Sequence, residues 1–145
     1  MTFLEQSPEW TPLLQAAKDA SENAHAPYSH FLVGAAVQTT EGHVITGANV
    51  ENASYGLTNC AERTALFTAI AQGHGGKLKS LAVWANDVKN QYGQRFKGAA
   101  TPCGACRQVM AELLPANADV HFIHPETGVI VHTTPKELLP LSFAL

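Results

Sequence analysis

The sequence predicts an α/β fold in a single domain, a layered sandwich built around a mixed β-sheet. Its 145 residues, 46% of them hydrophobic, are enough for one sizeable core but too few for two independent ones. Helical and extended patterns succeed one another in the order helix, hairpin, helix, strand, helix, strand, strand, helix, which is typical of an α/β sandwich. We therefore expect one domain over residues 1–145.

Four helices are predicted from capping residues at their starts and from helix breakers at their ends. Ser or Thr before Pro marks the starts of the first and last helices, and Thr134-Pro135-Lys136-Glu137 has the spacing of a capping box. Gly73 and Pro115 end the two central helices. In chain order, the helices are predicted after Ser7-Pro8 or Thr11-Pro12, over 60–72, over 104–114 and after Thr134.

Five strands are predicted from runs of β-branched and apolar residues. The first two flank Glu41-Gly42, where glycine supplies the positive φ of a tight turn, so they form a hairpin. The polar segment from Asn86 to Pro102 has neither helical nor strand periodicity, and we expect a long loop there, of the kind that often forms a lid or a binding edge. The strands are predicted over 31–39, 44–50, 78–86, 120–124 and 129–133.

Composition narrows the possible functions. A net charge of -3 and a pI near 6.1 argue against nucleic acid as a partner and favour a small molecule. The sequence shows neither a basic, apolar leader nor a run of about 18 apolar residues, so no membrane partner is expected and the cytoplasm is the default location. Charged residues are only 14% of the chain, and burial against sister subunits is a natural use of such a surface.

Three cysteines have the spacing of a catalytic metal site. Cys103 and Cys106 open the third helix three residues apart, on one face, and Cys60 opens the second helix. A thiol at a helix N-terminus has a lowered pKa, which favours the thiolate that a metal requires. Three protein ligands leave one tetrahedral position open, as in catalytic zinc sites. Soft thiolates favour zinc over iron or cobalt.

Glu62 and Arg63 lie next to this cysteine cluster. Glu62 can bend over the first turn of its helix and exchange protons with water at the open position, without itself becoming a ligand. Three thiolates on a divalent cation leave a net charge of -1, and Arg63 is placed to offset it by donating hydrogen bonds to a thiolate. Arg107 is a second candidate for this role, although its direction is open.

Other interpretations of the cysteines exist. A Cys-x-x-Cys motif alone can indicate a zinc site or a redox-active dithiol, or it can occur by chance. A redox-active dithiol is disfavoured because this motif follows a loop rather than the first strand of a βαβ unit. The histidines offer no ligand spacing, and we expect most of them at the surface. They are His25, His30, His43, His74, His121, His124 and His132.

Two motifs, Asn59-Cys60-Ala61-Glu62-Arg63-Thr64-Ala65 and Pro102-Cys103-Gly104-Ala105-Cys106-Arg107-Gln108, closely resemble the cytidine deaminase family in its small homotetrameric branch. The resemblance runs from about Ala26 to the C-terminus. It implies a three-layer α/β/α sandwich with a mixed five-stranded sheet, one zinc ion per subunit and a role in pyrimidine salvage. Further matching segments are 26–29, 31–36, 47–55 and 137–140.

The resemblance also implies roles for individual residues. Asn49 and Glu51 hydrogen-bond the ribose hydroxyls and Phe31 stacks on the pyrimidine. A backbone N–H near Ala61 and a carbonyl near Cys103 orient the base edge. Residues expected to reach a neighbouring subunit's pocket are Ala53, Tyr55 and Phe143.

The reaction implied is hydrolytic deamination of cytidine and deoxycytidine to uridine and deoxyuridine, with Glu62 taking a proton from water and delivering protons to N3 and to the departing ammonia. Two alternatives stay open. One is deamination of another aminopyrimidine nucleoside. The other is a non-catalytic structural zinc module that binds nucleic acid or a partner, which would need a fourth protein ligand and a basic face.

Overall fold

The computed structural model describes residues 1–4, 11–89 and 92–145, and these form a three-layer α/β/α sandwich. The strands are β1 (Thr2–Leu4), β2 (Val33–Thr39), β3 (Val44–Ala48), β4 (Leu78–Lys89), β5 (Arg95–Gly98), β6 (Asp119–Ile123) and β7 (Ile130–Thr133). The helices are α1 (Pro12–Ser21), α2 (Ala61–Ala71), α3 (Gly104–Leu113) and α4 (Pro135–Leu138), with one 3-10 turn at Tyr55–Leu57.

The sheet is mixed, with the strand order β1-β7-β6-β4-β2-β3, and β5 pairs with the end of β4. Strands β4 and β6 are parallel, and the chain crosses between them through α3. The other pairs are antiparallel. The helix α2 packs mainly against β3 and β2, and α3 packs beside α2.

Apolar side chains pack against both faces of the sheet. On one face, Leu14 and Ala17 of α1 pack against a smaller cluster that contains Trp84. On the other, Leu66 of α2 and Met110 of α3 are fully buried in the larger cluster. The mixed α/β fold predicted from the sequence is thus confirmed, and the helices cover the sheet from both sides.

Two glycines let helices pack directly on the strands. A Cβ on Gly34 of β2 would lie 1.8 Å from the carbonyl oxygen of Ala17 in α1. A Cβ on Gly47 of β3 would lie 2.4 Å from the backbone nitrogen of Ala65 in α2. Both contacts are with helix backbone, which no side-chain rotation relieves, so only glycine fits at this spacing.

Most predicted element starts agree with the structure. Thr11 caps α1 and accepts a hydrogen bond from the Leu14 backbone N–H at 3.1 Å. Thr134 and Glu137 form both hydrogen bonds of the capping box at α4. The β2–β3 hairpin turns at Gly42, whose φ is 90°. The alternative start at Ser7-Pro8 lies outside the described residues.

Three predictions need correction. The sheet has seven described strands and not five, because β1 adds to the edge at β7 through Thr2–Leu4. The segment from Asn86 to Pro102 is not simply a loop, since β4 continues to Lys89 and β5 pairs back onto it. The histidines do include a group of potential ligands, because His132 and His121, which is only 3% exposed, lie with Asp119 so that one ligand atom from each is within 4.8 Å of the others. Among the described helices, none has the length and apolar character required to cross a membrane.

Candidate metal and catalytic site

The three cysteines meet at the starts of two helices. Cys60 occupies the N-cap position of α2 and Cys103 that of α3, while Cys106 lies in the first turn of α3 and is buried. Their sulfurs all lie within 4.8 Å of one another, and the Cys60 and Cys103 sulfurs are 3.8 Å apart. Zn–S bonds of about 2.3 Å place tetrahedral sulfur ligands about 3.8 Å apart, so the Cys60–Cys103 distance already matches zinc and the whole group is close to that spacing.

One positively charged side chain, Arg63, contacts the thiol group. Arg63 donates a hydrogen bond from Nη2 to the Cys60 sulfur at 3.3 Å. The hydrogen bond from the Cys106 thiol and this guanidinium together lower the pKa of Cys60 to about 5, against the effect of burial. The helix N-terminus at each N-cap cysteine adds partial positive charge. The predicted contact between Arg63 and a thiolate is therefore present in the structure.

Arg107 has a different role from the one considered for it. Its Nε donates to the Pro102 carbonyl at 2.8 Å and its Nη1 to the Leu138 carbonyl at 3.1 Å. These bonds tie the segment before α3 to α4. Arg107 thus supports the backbone that carries Cys103.

Glu62 lies in the first turn of α2, with only 5% of its surface exposed. Burial raises the pKa of this carboxyl to about 7, and the nearby Cys60 thiolate adds to that effect. Although Glu62 is two residues from Cys60, both side chains border the same cavity. The start of the helix allows this, as the sequence predicted, and it places a carboxyl beside the thiols without adding it to the group that could hold a metal.

A cavity of about 480 Å³ opens beside the cysteines. Ligand pockets in proteins are commonly 300–1,000 Å³, mostly apolar, with a few convergent polar groups, and this cavity has that character. Cys106 lies behind Cys60 and Cys103, which are at its surface. Of the residues predicted for the site, those lining it are Phe31, Asn49, Glu51, Cys60, Ala61, Glu62 and Cys103.

Asn49 shapes the cavity as well as lining it. Its Oδ1 accepts from the Val33 N–H at 2.9 Å, and its Nδ2 donates to the Phe31 carbonyl at 2.7 Å. One amide hydrogen and one lone pair remain for other partners. Asn49 thus holds in place the backbone on which Phe31 stands.

Glu51 supports the same segment from its other end. Its Oε1 accepts from the backbone N–H groups of Tyr28 and Ser29, at 3.0 and 3.1 Å. Hydrogen bonding from the Ser29 side chain, and then from these two N–H groups, holds the pKa of Glu51 below its usual value despite some desolvation. Glu51 is therefore a carboxylate with an Oε2 that can accept further hydrogen bonds.

Three of the predicted substrate-binding residues lie outside this cavity. Tyr55 is 79% exposed and makes an edge contact with Tyr28, whose ring centroid is 6.3 Å away. Phe143 is 71% exposed, and its backbone carbonyl accepts a hydrogen bond from Gln108. Ala53 is exposed as well. Within one chain, these three side chains do not line the cavity that holds Glu62.

Sequence reasoning missed several residues of the cavity wall. Pro125, in the turn between β6 and β7, and Thr101, just before α3, both line it. Val83 of β4 lies at its base. No local motif marks them, since their positions depend on how the strands are ordered in the sheet.

Comparisons with known proteins agree with this geometry. Residues 9–122 match the model of the cytidine and deoxycytidylate deaminase zinc-binding region. The cytidine deaminase of Halalkalibacterium halodurans is 50% identical over 131 residues, which are 90% of this chain and 91% of the relative. Blasticidin-S deaminase of Bacillus cereus is 30% identical over 114 residues, covering 77% of this chain and 76% of the relative.

One solved structure is similar to this chain in both its fold and its sequence. The crystal structure of cytidine deaminase from Burkholderia pseudomallei superposes with a TM-score of 0.78 at 48% identity, covering 90% of this chain and 96% of the other. The family match spans most of the chain and includes all three cysteines and Glu62. The chain therefore belongs to the family of cytidine and deoxycytidylate deaminases defined by this zinc-binding region.

Proposed function

We propose that this protein catalyses the hydrolytic deamination of cytidine and deoxycytidine, giving uridine or deoxyuridine and ammonia. The observation that carries the proposal is the meeting of three thiols with a buried carboxyl, Glu62, at the edge of one apolar cavity. The curated relatives at 50% and 42% identity are cytidine deaminases, which supports the same substrate class.

Glu62 moves the protons of the reaction. When bound by Cys60, Cys103 and Cys106, zinc would supply a Lewis-acidic position that polarises the attacking water. Glu62 takes one proton from that water as its oxygen bonds to C4 of the ring, and delivers it to N3. Glu62 then passes the second water proton to the amino group, which leaves as ammonia while the C4 carbonyl forms. One water is consumed for each ammonia released.

The other residues of the cavity position the nucleoside. Phe31 offers a ring for stacking on the pyrimidine, and the Ala61 N–H lies in the first turn of α2, where backbone donors have no intrahelical partner. In this proposal, the backbone carbonyl near Cys103 helps to orient the edge of the base, at the end away from the Ala61 N–H. Asn49 and Glu51 retain hydrogen-bonding capacity for the ribose hydroxyls, beyond the backbone contacts that they already make.

We further propose a homotetramer with one zinc ion per subunit and with active sites shared between subunits. The exposed Tyr55 and Phe143, together with Ala53, are the side chains expected to complete a neighbour's pocket. Large aromatic rings at 79% and 71% exposure are well suited to burial at an interface. A cytoplasmic location and a role in pyrimidine salvage complete the proposal.

The deciding experiment is ammonia release from cytidine by zinc-loaded protein, with Glu62→Gln as the test variant. This substitution keeps the size of the side chain but removes its ability to accept a proton. We expect turnover to fall by about 10²–10⁴-fold, the usual contribution of general acid–base catalysis, with zinc content unchanged. Near-normal turnover in a zinc-loaded Glu62→Gln variant would exclude Glu62 as the proton carrier.

A second candidate substrate is another aminopyrimidine nucleoside, because a blasticidin-S deaminase is also among the relatives. The higher identity to cytidine deaminases favours cytidine. Steady-state comparison of cytidine, deoxycytidine, their monophosphates and blasticidin S separates these possibilities. A larger kcat/KM for blasticidin S than for cytidine would reverse the order of the two proposals.

A further inference from the structure

A second group of metal-ligating side chains lies on the other face of the sheet, beneath the start of α1. His121 of β6 and His132 of β7 are paired directly across the strands, and Asp119 precedes His121 by two residues, on the same face. Asp119 Oδ1 is 2.9 Å from His132 Nδ1, and Oδ2 is 3.2 Å from His121 Nδ1. The two imidazoles stack, with ring centroids 5.1 Å apart.

We propose that Asp119, His121 and His132 form a second site, which binds a divalent cation of the zinc, nickel or cobalt class. Two imidazoles and one carboxylate are ligands that such borderline cations prefer. Bonds of about 2.0–2.2 Å to nitrogen and oxygen place neighbouring ligand atoms about 3.0–3.5 Å apart. The observed oxygen–nitrogen distances of 2.9 and 3.2 Å are close to this range, and one ligand atom from each of the three side chains lies within 4.8 Å of the others.

The surroundings support coordination through Nδ1 of His121. That mode requires the ring proton on Nε2, and His121 Nε2 lies 3.1 Å from Thr11 Oγ1, which can accept it. The same oxygen already accepts from the Leu14 N–H as the cap of α1, and its two lone pairs serve both donors. The bound cation would therefore connect β6 and β7 to the start of α1, which is a structural role.

Solvent reaches this cluster from one side. Asp119 has 46% of its side chain exposed and His132 has 30%, whereas His121 has 4%. A cavity of about 240 Å³ borders both Asp119 and His132, which gives a cation access and leaves room for water ligands. The exposed side supplies the remaining coordination positions, while the buried histidine fixes the geometry.

A metal-free network, in which both imidazoles donate to one carboxylate, has the same three side chains in contact. Metal uptake distinguishes it from the proposed site. Protein that holds one zinc ion per chain, enough to fill only the three-cysteine group, is titrated with Co²⁺ while the absorption spectrum is recorded. Coordination by nitrogen and oxygen gives visible ligand-field bands without the near-ultraviolet charge-transfer band that cobalt shows when bound to thiolates.

We expect one equivalent of Co²⁺ to bind with the nitrogen and oxygen spectrum, while the zinc already present is retained. The variants Asp119→Asn and His132→Gln should weaken this binding by at least ~10-fold, with unchanged circular dichroism. The matched control is His43→Gln, which alters the exposed His43–His74 pair at the surface and should bind as the wild type does.

Three outcomes would overturn the proposal: no cobalt bound beyond the zinc, a thiolate band alone, or loss of binding in His43→Gln. Deaminase activity does not enter this test. A failure here therefore leaves the proposed function intact, and an inactive protein that binds cobalt in this manner still supports the second site.

Discussion

Replacing Gly47 with alanine tests whether the packing of α2 on β3 positions Cys60 and Glu62. The new Cβ would meet Ala65 N at 2.4 Å, Ala61 O at 2.7 Å and Ala65 Cα at 2.9 Å. Ordinary contacts for a Cβ begin near 3.4 Å, so α2 must move away from the strand by roughly 1 Å. All three contacts involve helix backbone, and the movement therefore displaces the whole first turn of α2.

Overpacking of this kind costs about 1–3 kcal/mol. For a chain of this size, each kcal/mol lowers Tm by about 2–4 °C, so a decrease of roughly 2–12 °C is expected. Activity should fall further, because the first turn of α2 carries Cys60 and Glu62, and a misplacement of about 1 Å at catalytic groups can reduce the rate by about 10²-fold.

The assay combines thermal unfolding with ammonia release from cytidine for Gly47→Ala and for the control Gly75→Ala. A Cβ on Gly75 meets only Ile70 Cδ1, at an ordinary 3.5 Å, and its φ is not in the positive range. The control should behave as the wild type does. If Gly47→Ala had the wild-type Tm and turnover, close backbone packing would not be what positions α2.

Three further outcomes are expected. Cys106→Ala should lose zinc, as measured by metal analysis after dialysis, because Cys106 is the buried member of the thiol group; full retention would remove it from the ligands. Arg63→Met should raise the pKa of Cys60 and weaken zinc binding by about 10–100-fold in a chelator competition, while equal affinity would show that the guanidinium contributes nothing. For Asp119, burial opposes ionisation, but hydrogen bonds from His121 and His132 more than offset it and lower the pKa. The stabilisation from ionised Asp119 is present above the ordinary pKa of 3.8 and is lost as the pH falls through the lower pKa of the folded state. Without added metal, acidification should therefore lower the free energy of unfolding of the wild type more than that of Asp119→Asn. An equal pH dependence of unfolding in the two proteins would contradict this.

The metal site was predictable because its chemistry is local in sequence. Cys103 and Cys106 share one helix start, and Cys60, Glu62 and Arg63 share another, so spacing alone determines which side chains point together. The meeting of the two helix starts is not local. It depends on the order of the strands in the sheet, and only the resemblance to a known family supplied that step in advance.

Features that depend on strand register were not predictable in this way. Strand β1 pairs with β7 over only three residues, and this pairing places Thr2 opposite His132, which is far away along the chain. The extension of β4 and the strand β5 lie in a polar stretch with weak alternation. His121 and His132 appear unrelated in the sequence, and they become neighbours only because β6 and β7 pair at those positions.

The two faces of the sheet thus carry different groups of potential metal ligands, and the arrangement of the strands determines where each group forms. On the α2 and α3 face, ligands come from helix starts, where backbone N–H groups and the helix dipole stabilise thiolates and favour an anionic donor set. On the α1 face, the proposed ligands are side chains on the strands themselves, two imidazoles around one carboxylate. A donor set of three thiolates should retain zinc under conditions in which the nitrogen and oxygen set exchanges its cation, because soft thiolates bind zinc more strongly. Exchange of a labelled metal should therefore occur in two steps, with the slower step abolished by Cys106→Ala and the faster one by His132→Gln.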